Sequence, residues 1–373
     1  MTAEHALPAA GIVPRPVVGR LPKYAAGKAP VPIPGLESFK LASNENPLGP
    51  VPAVRAAIAA QDDIHRYPDT LCTLLRGALG EFLDVPADDI VTGAGSLGAL
   101  TQILAAFAGA NDDGSQDEVL YAWRSFEAYP ICVGLAGARS VQVPLLADGT
   151  HDLAAMAAAV TGRTRVILLC TPNNPTGPAL TAADTEAFIQ SVPGHVVVVI
   201  DEAYQEFVRA ADAVNGIDMY RKYPNVVVLR TFSKAHGLAG LRVGYSVSHP
   251  EVTAYLRAAA TPFAVSSVAE HAAVASLANY DQVVERVQSL VDERDRVTAG
   301  LRALGWDVPD AQGNFVWLAL GEDTSGFSAL AGEHALSVRA FGNEGVRVSI
   351  GEVEANTRFL EICASYTKAP RRS

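Results

Sequence analysis

The chain has 373 residues, of which 49% are hydrophobic and 18% charged, and its formal net charge is −11 at pH 7. This length allows one large and one small domain, and the composition is typical of a globular protein. The acidic balance argues against nucleic acid or an anionic membrane as a partner, because such partners bind basic surfaces.

The N-terminus, the lengths of the apolar runs and the cysteines give further expectations. The N-terminus lacks a basic region followed by an apolar stretch, and no apolar run approaches the roughly 18 residues of a membrane span. We therefore expect a cytoplasmic protein. The four cysteines have no C-x-x-C spacing, so buried free thiols are predicted, with no metal site.

Proline-rich residues 1–40 predict an extended N-terminal arm, because proline disfavours helix. A large α/β domain is expected over 41–260. Near its start, apolar residues at helical spacing predict a helix whose core-facing positions are Leu71, Leu74, Leu75, Leu79 and Phe82.

From residue 90 onward, helical segments alternate with short, uniformly apolar runs, which are typical of strands covered on both faces. The predicted strands are 90–92, 118–122, 141–144, 165–170, 196–200 and 226–229. This pattern favours a mostly parallel central sheet with helices on both faces and right-handed crossovers.

Residues 261–373 predict a smaller α+β C-terminal domain. Its strands are expected at 315–320, 337–341 and 346–350, with a closing helix over about 353–366. A long helix is expected over 280–303, and its run of charged residues predicts a solvated face that includes Arg294.

Lys234 lies just past a predicted strand, where α/β proteins place their chemistry. The hydroxyls of Thr231 and Ser233 and the guanidinium of Arg242 could hold a dianionic group and leave the lysine amine free. A neighbouring cation in a partly dry site would lower the pKa of this lysine, which suits attack on a carbonyl. Considered alone, Lys234 would be assigned as a surface lysine.

A glycine-rich turn follows the first strand of the predicted sheet. The segment Gly93-Ala94-Gly95-Ser96 opens a helix, whose free backbone amides can bind phosphate. Gly93, Gly95 and Gly98 also fit the G-x-G-x-x-G pattern of dinucleotide-binding proteins, but the acidic residue expected about 20 positions later is missing. A nicotinamide-dependent oxidoreductase is therefore a minor alternative.

Two further strand ends carry polar side chains. Asn174 offers an amide after strand 165–170, and Asp201 follows strand 196–200. A carboxylate at a dry strand end suits a buried cation, and a protonated pyridine nitrogen is such a cation.

With Asn174, Asp201-Glu-Ala-Tyr204, Ser233-Lys234 and Arg242 in this order, the chain resembles the fold-type I pyridoxal-phosphate aminotransferases. It is most similar to their histidinol-phosphate and aromatic amino acid branch, from about residue 41 to the closing helix. The resemblance implies pyridoxal 5'-phosphate as cofactor and a symmetric homodimer with shared active sites.

The resemblance also implies roles for individual residues. Lys234 would carry the cofactor and move a proton during turnover, and Asp201 would keep the pyridine nitrogen protonated. Tyr204 and Asn174 would bind the phenolate oxygen of the cofactor, and Phe126 would stack on its ring. The phosphate would be surrounded by Ala94, Gly95, Ser96, Ser233 and Arg242. Tyr67 would reach the phosphate in the partner subunit. For the substrate, Arg347 would bind the carboxylate, Arg339 is a second candidate, and Asn44 would line the pocket.

The segment from Arg339 to Arg347 is short beside the histidine-pathway members and is similar to the actinobacterial aromatic type. We therefore expect amino transfer between an aromatic amino acid and a 2-oxo acid such as 2-oxoglutarate, by a ping-pong mechanism. The alternatives are a histidinol-phosphate aminotransferase and, more distantly, a decarboxylase or lyase that uses the same cofactor.

Overall fold

The computed structural model of the protein describes residues 13–24 and 26–366. Residues 1–12 and Ala25 of the predicted arm, and residues 367–373 of the predicted C-terminal domain, lie outside the described residues. The strands are β1 (Phe39–Lys40), β2 (Ile90–Gly93), β3 (Glu118–Trp123), β4 (Arg139–Pro144), β5 (Thr164–Cys170), β6 (Val197–Asp201), β7 (Val226–Thr231), β8 (Gly244–Val247), β9 (Phe315–Ala319), β10 (Leu336–Ser337), β11 (Arg339–Phe341) and β12 (Gly345–Ser349). The helices are α1 (Pro52–Ala59), α2 (Thr73–Leu83), α3 (Gly95–Phe107), α4 (Tyr129–Ala136), α5 (Leu153–Ala158), α6 (Ala182–Ser191), α7 (Gly216–Lys222), α8 (Pro250–Ala258), α9 (Ser267–Ala278), α10 (Tyr280–Ala303), α11 (Thr324–Glu333) and α12 (Val353–Ser365).

A seven-stranded sheet with the order β2-β8-β7-β6-β5-β3-β4 forms the centre of the protein. Its neighbours from β7 to β4 pair in parallel, whereas β8 is antiparallel to both β7 and β2. The predicted α/β fold with a mostly parallel sheet is confirmed. The short strand β8 was not predicted, because Gly-Tyr-Ser-Val lacks the uniformly apolar character of the other strands.

The sheet is covered on both faces because successive side chains of each strand point in opposite directions. In β5, Val166 and Leu168 pack into one hydrophobic cluster, and Ile167 and Leu169 pack into another. Burial on both faces is the reason why these strands appear in the sequence as unbroken apolar runs.

A second set of strands lies beside the central sheet. Strands β11, β12 and β9 form an antiparallel sheet, and β1 pairs in parallel with β10. The predicted strand 337–341 is thus divided between two sheets. The pairing of Phe39 with Leu336 attaches the N-terminal segment to the C-terminal strands.

The prediction that all five apolar positions around α2 face the core is wrong for three of them. Leu75 and Leu79 are fully buried, but Leu71, Leu74 and Phe82 are 51%, 50% and 40% exposed. Helical spacing marks an apolar face but does not show what covers it. The four cysteines, in contrast, are all buried, as predicted.

The prediction of a solvated charged face on α10 is wrong at Arg294, which is 2% exposed. Its Nη1 donates to the carbonyl oxygens of Phe207 at 2.9 Å and Gly313 at 3.3 Å, and its Nε pairs with Asp295 at 3.0 Å. Helical periodicity explains its position, because Arg294 shares the buried face of α10 with Leu290 and Leu301. None of the helices within residues 13–24 and 26–366 combines the length and apolar character needed to cross a membrane.

We expect Arg294→Met to lower the free energy of unfolding by about 2–4 kcal/mol, because two buried carbonyl groups would lose their donor. Urea unfolding measures the change. Arg296→Met is the matched control on the same helix, since Arg296 is an exposed residue paired with Glu293, and it should cost less than about 1 kcal/mol. Equal effects of the two substitutions would show that the buried hydrogen bonds of Arg294 do not stabilise the fold.

Candidate active site

The carboxyl ends of strands β5, β6 and β7 meet at a cavity of about 340 Å³. In a parallel sheet this edge brings together loops that are distant in sequence. The cavity is lined from the central sheet and its loops by Ser96, Phe126, Glu127, Asn174, Asp201, Tyr204, Ser233, Lys234 and Arg242, from the N-terminal segment by Tyr24, Gly27, Ala42 and Ser43, and from the β11–β12 hairpin by Arg339, Phe341 and Arg347.

Lys234 lies in this cavity with its Nζ donating to the carbonyl oxygen of Ser43 at 3.1 Å. Burial lowers the pKa of Lys234 to about 7, and the positive charges of Arg347 and Arg242 act in the same direction. The predicted effect of a neighbouring cation is therefore present but secondary to desolvation. At neutral pH a large fraction of this amine is unprotonated and able to act as a nucleophile.

Asp201 ends strand β6 and is almost fully buried. Its Oδ2 accepts a hydrogen bond of 2.7 Å from the hydroxyl of Tyr129, whereas its buried Oδ1 has no partner among the described residues. Burial raises the pKa of Asp201 to about 6, although the Tyr129 hydrogen bond opposes this shift. A buried carboxylate oxygen at a cavity wall can accept a hydrogen bond from a molecule bound in the cavity.

Tyr129 was not singled out from the sequence. It begins α4, packs edge-on against Phe126 with ring centroids 5.6 Å apart, and is fully buried. Burial and the nearby Asp201 carboxylate raise the pKa of Tyr129 well above its usual value, so it remains a hydrogen-bond donor. Its position three residues after Phe126 was the available signal, since residues at this spacing share one side of a helical turn.

The predicted phosphate-binding residues converge at the N-terminus of α3. Arg242 donates from Nη1 to Ser233 Oγ at 3.2 Å and from Nη2 to the carbonyl oxygen of Ala94 at 3.4 Å. Gly95 has a φ of 73°, and a Cβ there would clash with the guanidinium of Arg242. Ser96 in the first turn of α3, the Ser233 hydroxyl and the Arg242 guanidinium thus line one part of the cavity, and this combination of a helix N-terminus, a hydroxyl and a cation is suited to a phosphate group.

Tyr204 and Asn174 line the cavity beside Asp201, whereas Asn44 does not line it. Asn44 is fully buried behind Tyr204, and its Nδ2 donates to the Tyr204 hydroxyl at 3.0 Å. The expectation that Asn44 lines the substrate pocket is therefore corrected. Asn44 has a left-handed backbone with φ 52°, and its neighbours Ala42 and Ser43 line the cavity instead.

Arg347 and Arg339 enter the cavity from the hairpin. Arg347 donates from Nη1 to Asn174 Oδ1 at 2.5 Å and from Nη2 to the carbonyl oxygen of Ala42 at 2.8 Å. Its Nε has no partner, and no carboxylate in the described part of the chain forms an ion pair with it. Arg339, in contrast, forms an ion pair with Glu127.

Three predicted cofactor contacts do not line the cavity: Ala94 and Gly95 lie next to Arg242 at its edge, whereas Tyr67 has no hydrogen bond or ring contact with a cavity residue in the described part of the chain. It is 83% exposed, and its ring stacks on Phe263 with centroids 4.7 Å apart. In the described ranges, no group of three or more His, Cys, Asp and Glu side chains is arranged to hold a metal ion.

The fold and the residues at the strand ends define a pyridoxal-phosphate-dependent transferase of fold type I. The model of the family "Aminotransferase class I and II" matches residues 37–363, so the chain belongs to this family.

Two relatives and one solved structure show the range of similarity. The chain is 50% identical over 349 residues to an aromatic amino acid aminotransferase of Streptomyces coelicolor, covering 93% of this chain and 96% of the relative. It is 50% identical over 355 residues to one of Thermobifida fusca, covering 95% and 97%. A histidinol-phosphate aminotransferase of Sinorhizobium meliloti, solved in complex with pyridoxal-5'-phosphate, is 28% identical with a TM-score of 0.82 over 96% of this chain and 97% of that one.

The lowered pKa of Lys234 predicts how fast the cofactor-free protein reacts with pyridoxal phosphate at different pH values. With a pKa of about 7, the unprotonated fraction rises about tenfold between pH 6 and pH 8. For an ordinary lysine it rises about a hundredfold. The growth of visible absorbance, with Nα-acetyllysine as the reference amine and Lys234→Ala as the blank, measures this rate. A hundredfold rise in the protein would contradict the lowered pKa.

Proposed function

We propose that this protein is an aromatic amino acid aminotransferase, which moves an amino group between an aromatic amino acid and a 2-oxo acid such as 2-oxoglutarate. The observation that carries this proposal is 50% identity over 93–95% of the chain to proteins of that name. The aromatic ring of Phe341 in the cavity wall supports it, because it offers an apolar face near Arg347 to an aromatic side chain.

We propose pyridoxal 5'-phosphate as the cofactor, held covalently through the amine of Lys234. Two features of the cavity fit it. The partnerless Oδ1 of Asp201 fits a protonated pyridine nitrogen, and the space between Arg242 and the N-terminus of α3 fits the phosphate. When bound, this cofactor supplies an electrophilic carbon and a ring that accepts electrons from the substrate.

Several residues in and beside the cavity have proposed roles in the reaction. With the cofactor bound, the amine of Lys234 would take the proton from the substrate Cα and deliver it to the carbonyl carbon of the cofactor. Asp201 keeps the pyridine nitrogen protonated, and Tyr129 is a positioning residue that orients its carboxylate. Asn174 accepts from Arg347 through Oδ1, which leaves its Nδ2 to donate to the phenolate oxygen together with Tyr204.

Arg347 is proposed to bind the α-carboxylate of both substrates. It is buried, its Nε has no partner, and within the described ranges it has no ion-pair partner. A buried guanidinium without a counter-ion is unfavourable, so a substrate carboxylate that binds it with two hydrogen bonds gains both charge pairing and geometry.

Histidinol phosphate is the second candidate donor, because a solved relative with 28% identity and a TM-score of 0.82 is a histidinol-phosphate aminotransferase. The lower identity of that relative, compared with 50% for the aromatic enzymes, places this candidate second.

Steady-state kinetics with 2-oxoglutarate as acceptor distinguish the two donors. We expect phenylalanine to exceed histidinol phosphate in kcat/KM by at least about tenfold, since in the described cavity wall Arg242 is proposed to hold the cofactor phosphate and Arg339 is already paired with Glu127. The purified protein should have a visible absorption band that Lys234→Ala abolishes. A preference for histidinol phosphate would overturn the proposed substrate, and a colourless protein that binds a nicotinamide cofactor would overturn the proposed class.

We further propose a homodimer in which Tyr67 reaches the phosphate bound by the partner. Tyr67 stacks on the exposed Phe263, and further exposed apolar side chains lie close to it in the chain, which favours an interaction surface. The exposed apolar side chains are Ile64, Leu71, Leu74 and Phe263.

The proposed domain division is an arm over 1–40, a large cofactor-binding domain over 41–260 and a small domain over 261–373.

Tyr67→Phe should raise the Kd for pyridoxal phosphate about tenfold, because one hydrogen bond to a charged phosphate oxygen is lost. Absorbance titration measures the Kd, and sedimentation velocity reports the oligomeric state. Tyr255→Phe is the control, since Tyr255 is also an exposed tyrosine but packs against Phe107. A monomeric protein, or equal Kd values for the two variants, would contradict the shared site.

A further inference from the structure

An ion pair between Glu127 and Arg339 forms part of the cavity wall. Glu127 lies in the segment between β3 and α4, and Arg339 is the first residue of β11. Both side chains line the cavity, and their exposed fractions are 25% and 11%. The pair is therefore partly shielded from solvent but open to whatever binds in the cavity.

The hairpin places Arg339 next to a second arginine. In the antiparallel register of β11 and β12, Arg339 lies directly opposite Arg347. Like charges at directly opposed positions repel each other. Both guanidinium groups also lie within 6 Å of the Phe341 ring, at 5.3 and 5.6 Å from its centroid. The Glu127 carboxylate neutralises one of the two charges, so Arg347 remains the unpaired cation at this wall.

The proposed function, on which this inference rests, requires the cavity wall to accommodate two chemically different side chains. In a ping-pong exchange, the same cavity accepts an uncharged aromatic side chain and the distal carboxylate of an acidic 2-oxo acid. An aromatic side chain beside an unpaired guanidinium removes water from the charge and returns only a cation–π attraction, which compensates the lost hydration less well than a carboxylate does. A distal carboxylate, in contrast, needs a cation such as Arg339.

We propose that Glu127 is a specificity-determining residue that acts as an internal substitute for the distal carboxylate of an acidic substrate. Glu127 pairs with Arg339 while an uncharged side chain occupies the cavity. The carboxylate of an acidic substrate displaces Glu127 and takes its place on Arg339. Glu127 thereby weakens the binding of acidic substrates relative to aromatic ones.

The chain offers a matched control for this proposal. Arg124 and Glu344 form a second ion pair between the same two segments of the chain. These two residues line a separate cleft beside Trp317 rather than the cavity. Loss of mechanical support between the segments should therefore appear in both Glu127→Gln and Glu344→Gln, whereas a change in charge selectivity should appear only in Glu127→Gln.

Calorimetric binding of two unreactive acids to the cofactor-loaded protein tests the proposal. Glutarate has two carboxylates, and 3-phenylpropionate has one carboxylate and a phenyl ring. We expect Glu127→Gln to lower the ratio of the glutarate Kd to the 3-phenylpropionate Kd about five- to tenfold, because glutarate no longer competes for Arg339. Glu344→Gln should leave this ratio within about twofold. The double substitution Glu127→Gln with Arg339→Gln should remove the gain.

An unchanged ratio in Glu127→Gln, or an equal change in Glu344→Gln, would overturn the role of Glu127. A gain that persists in the double substitution would overturn the role of Arg339 as the receiving cation. These measurements use binding alone, so they are separable from the proposed activity. Absence of amino transfer from phenylalanine in the unmodified protein would reject the proposed function without deciding the binding ratios.

Discussion

The hydrogen bond between Tyr129 and Asp201 is the interaction on which the site depends. It satisfies one oxygen of a carboxylate that the sheet has buried at the end of β6 and leaves the other oxygen without a protein partner. The sheet supplies the burial, because Asp201 pairs in register with Cys170 and Leu229 between two apolar strands. A rigid parallel sheet can hold such an unsatisfied group, whereas a mobile loop would turn it towards water.

The N-terminal segment closes the site from the opposite side by backbone contacts. The carbonyl oxygen of Ser43 accepts from Lys234, and that of Ala42 accepts from Arg347. Asn44 continues this connection by holding the Tyr204 hydroxyl and by accepting from Ser349 Oγ at 2.9 Å. Three consecutive residues thus tie the central sheet to the C-terminal strands, and the proposed lysine nucleophile and carboxylate-binding arginine are held by the same short segment.

The sequence predicted the elements whose signal is local. Parallel strands appear as apolar runs, and Lys234, Asp201 and Asn174 were predicted as site residues because each lies at or shortly after the end of such a run. Side chains whose surroundings come from distant segments were not predictable in this way. Glu127 meets Arg339 from 212 positions away. Arg294 had the spacing of a buried position and the charge of an exposed one, and its burial depends on the carbonyl oxygens of Phe207 and Gly313, which come from distant segments and accept from its guanidinium.

The pKa values of Asp201 and Lys234 are shifted in opposite directions, and both shifts make the stability of the fold depend on pH. Burial raises the pKa of Asp201 to about 6 and lowers that of Lys234 to about 7. Because the native state binds more protons at Asp201 than the unfolded chain does, this residue reduces stability as pH rises from about 4 to 6. The native state binds fewer protons at Lys234, so the reduction in stability due to this residue is complete below pH 7 and is relieved as pH rises towards the ordinary lysine value.

Between about pH 6 and 7, both groups are therefore largely charged within the same cavity, where burial disfavours each of them. A ligand that pairs a protonated ring nitrogen with the Asp201 carboxylate and removes the charge of Lys234 relieves both penalties at once, and by linkage its binding stabilises the fold. The unfavourable features of the cavity are thus the ones that the proposed cofactor, a protonated ring bearing a carbonyl carbon, would relieve.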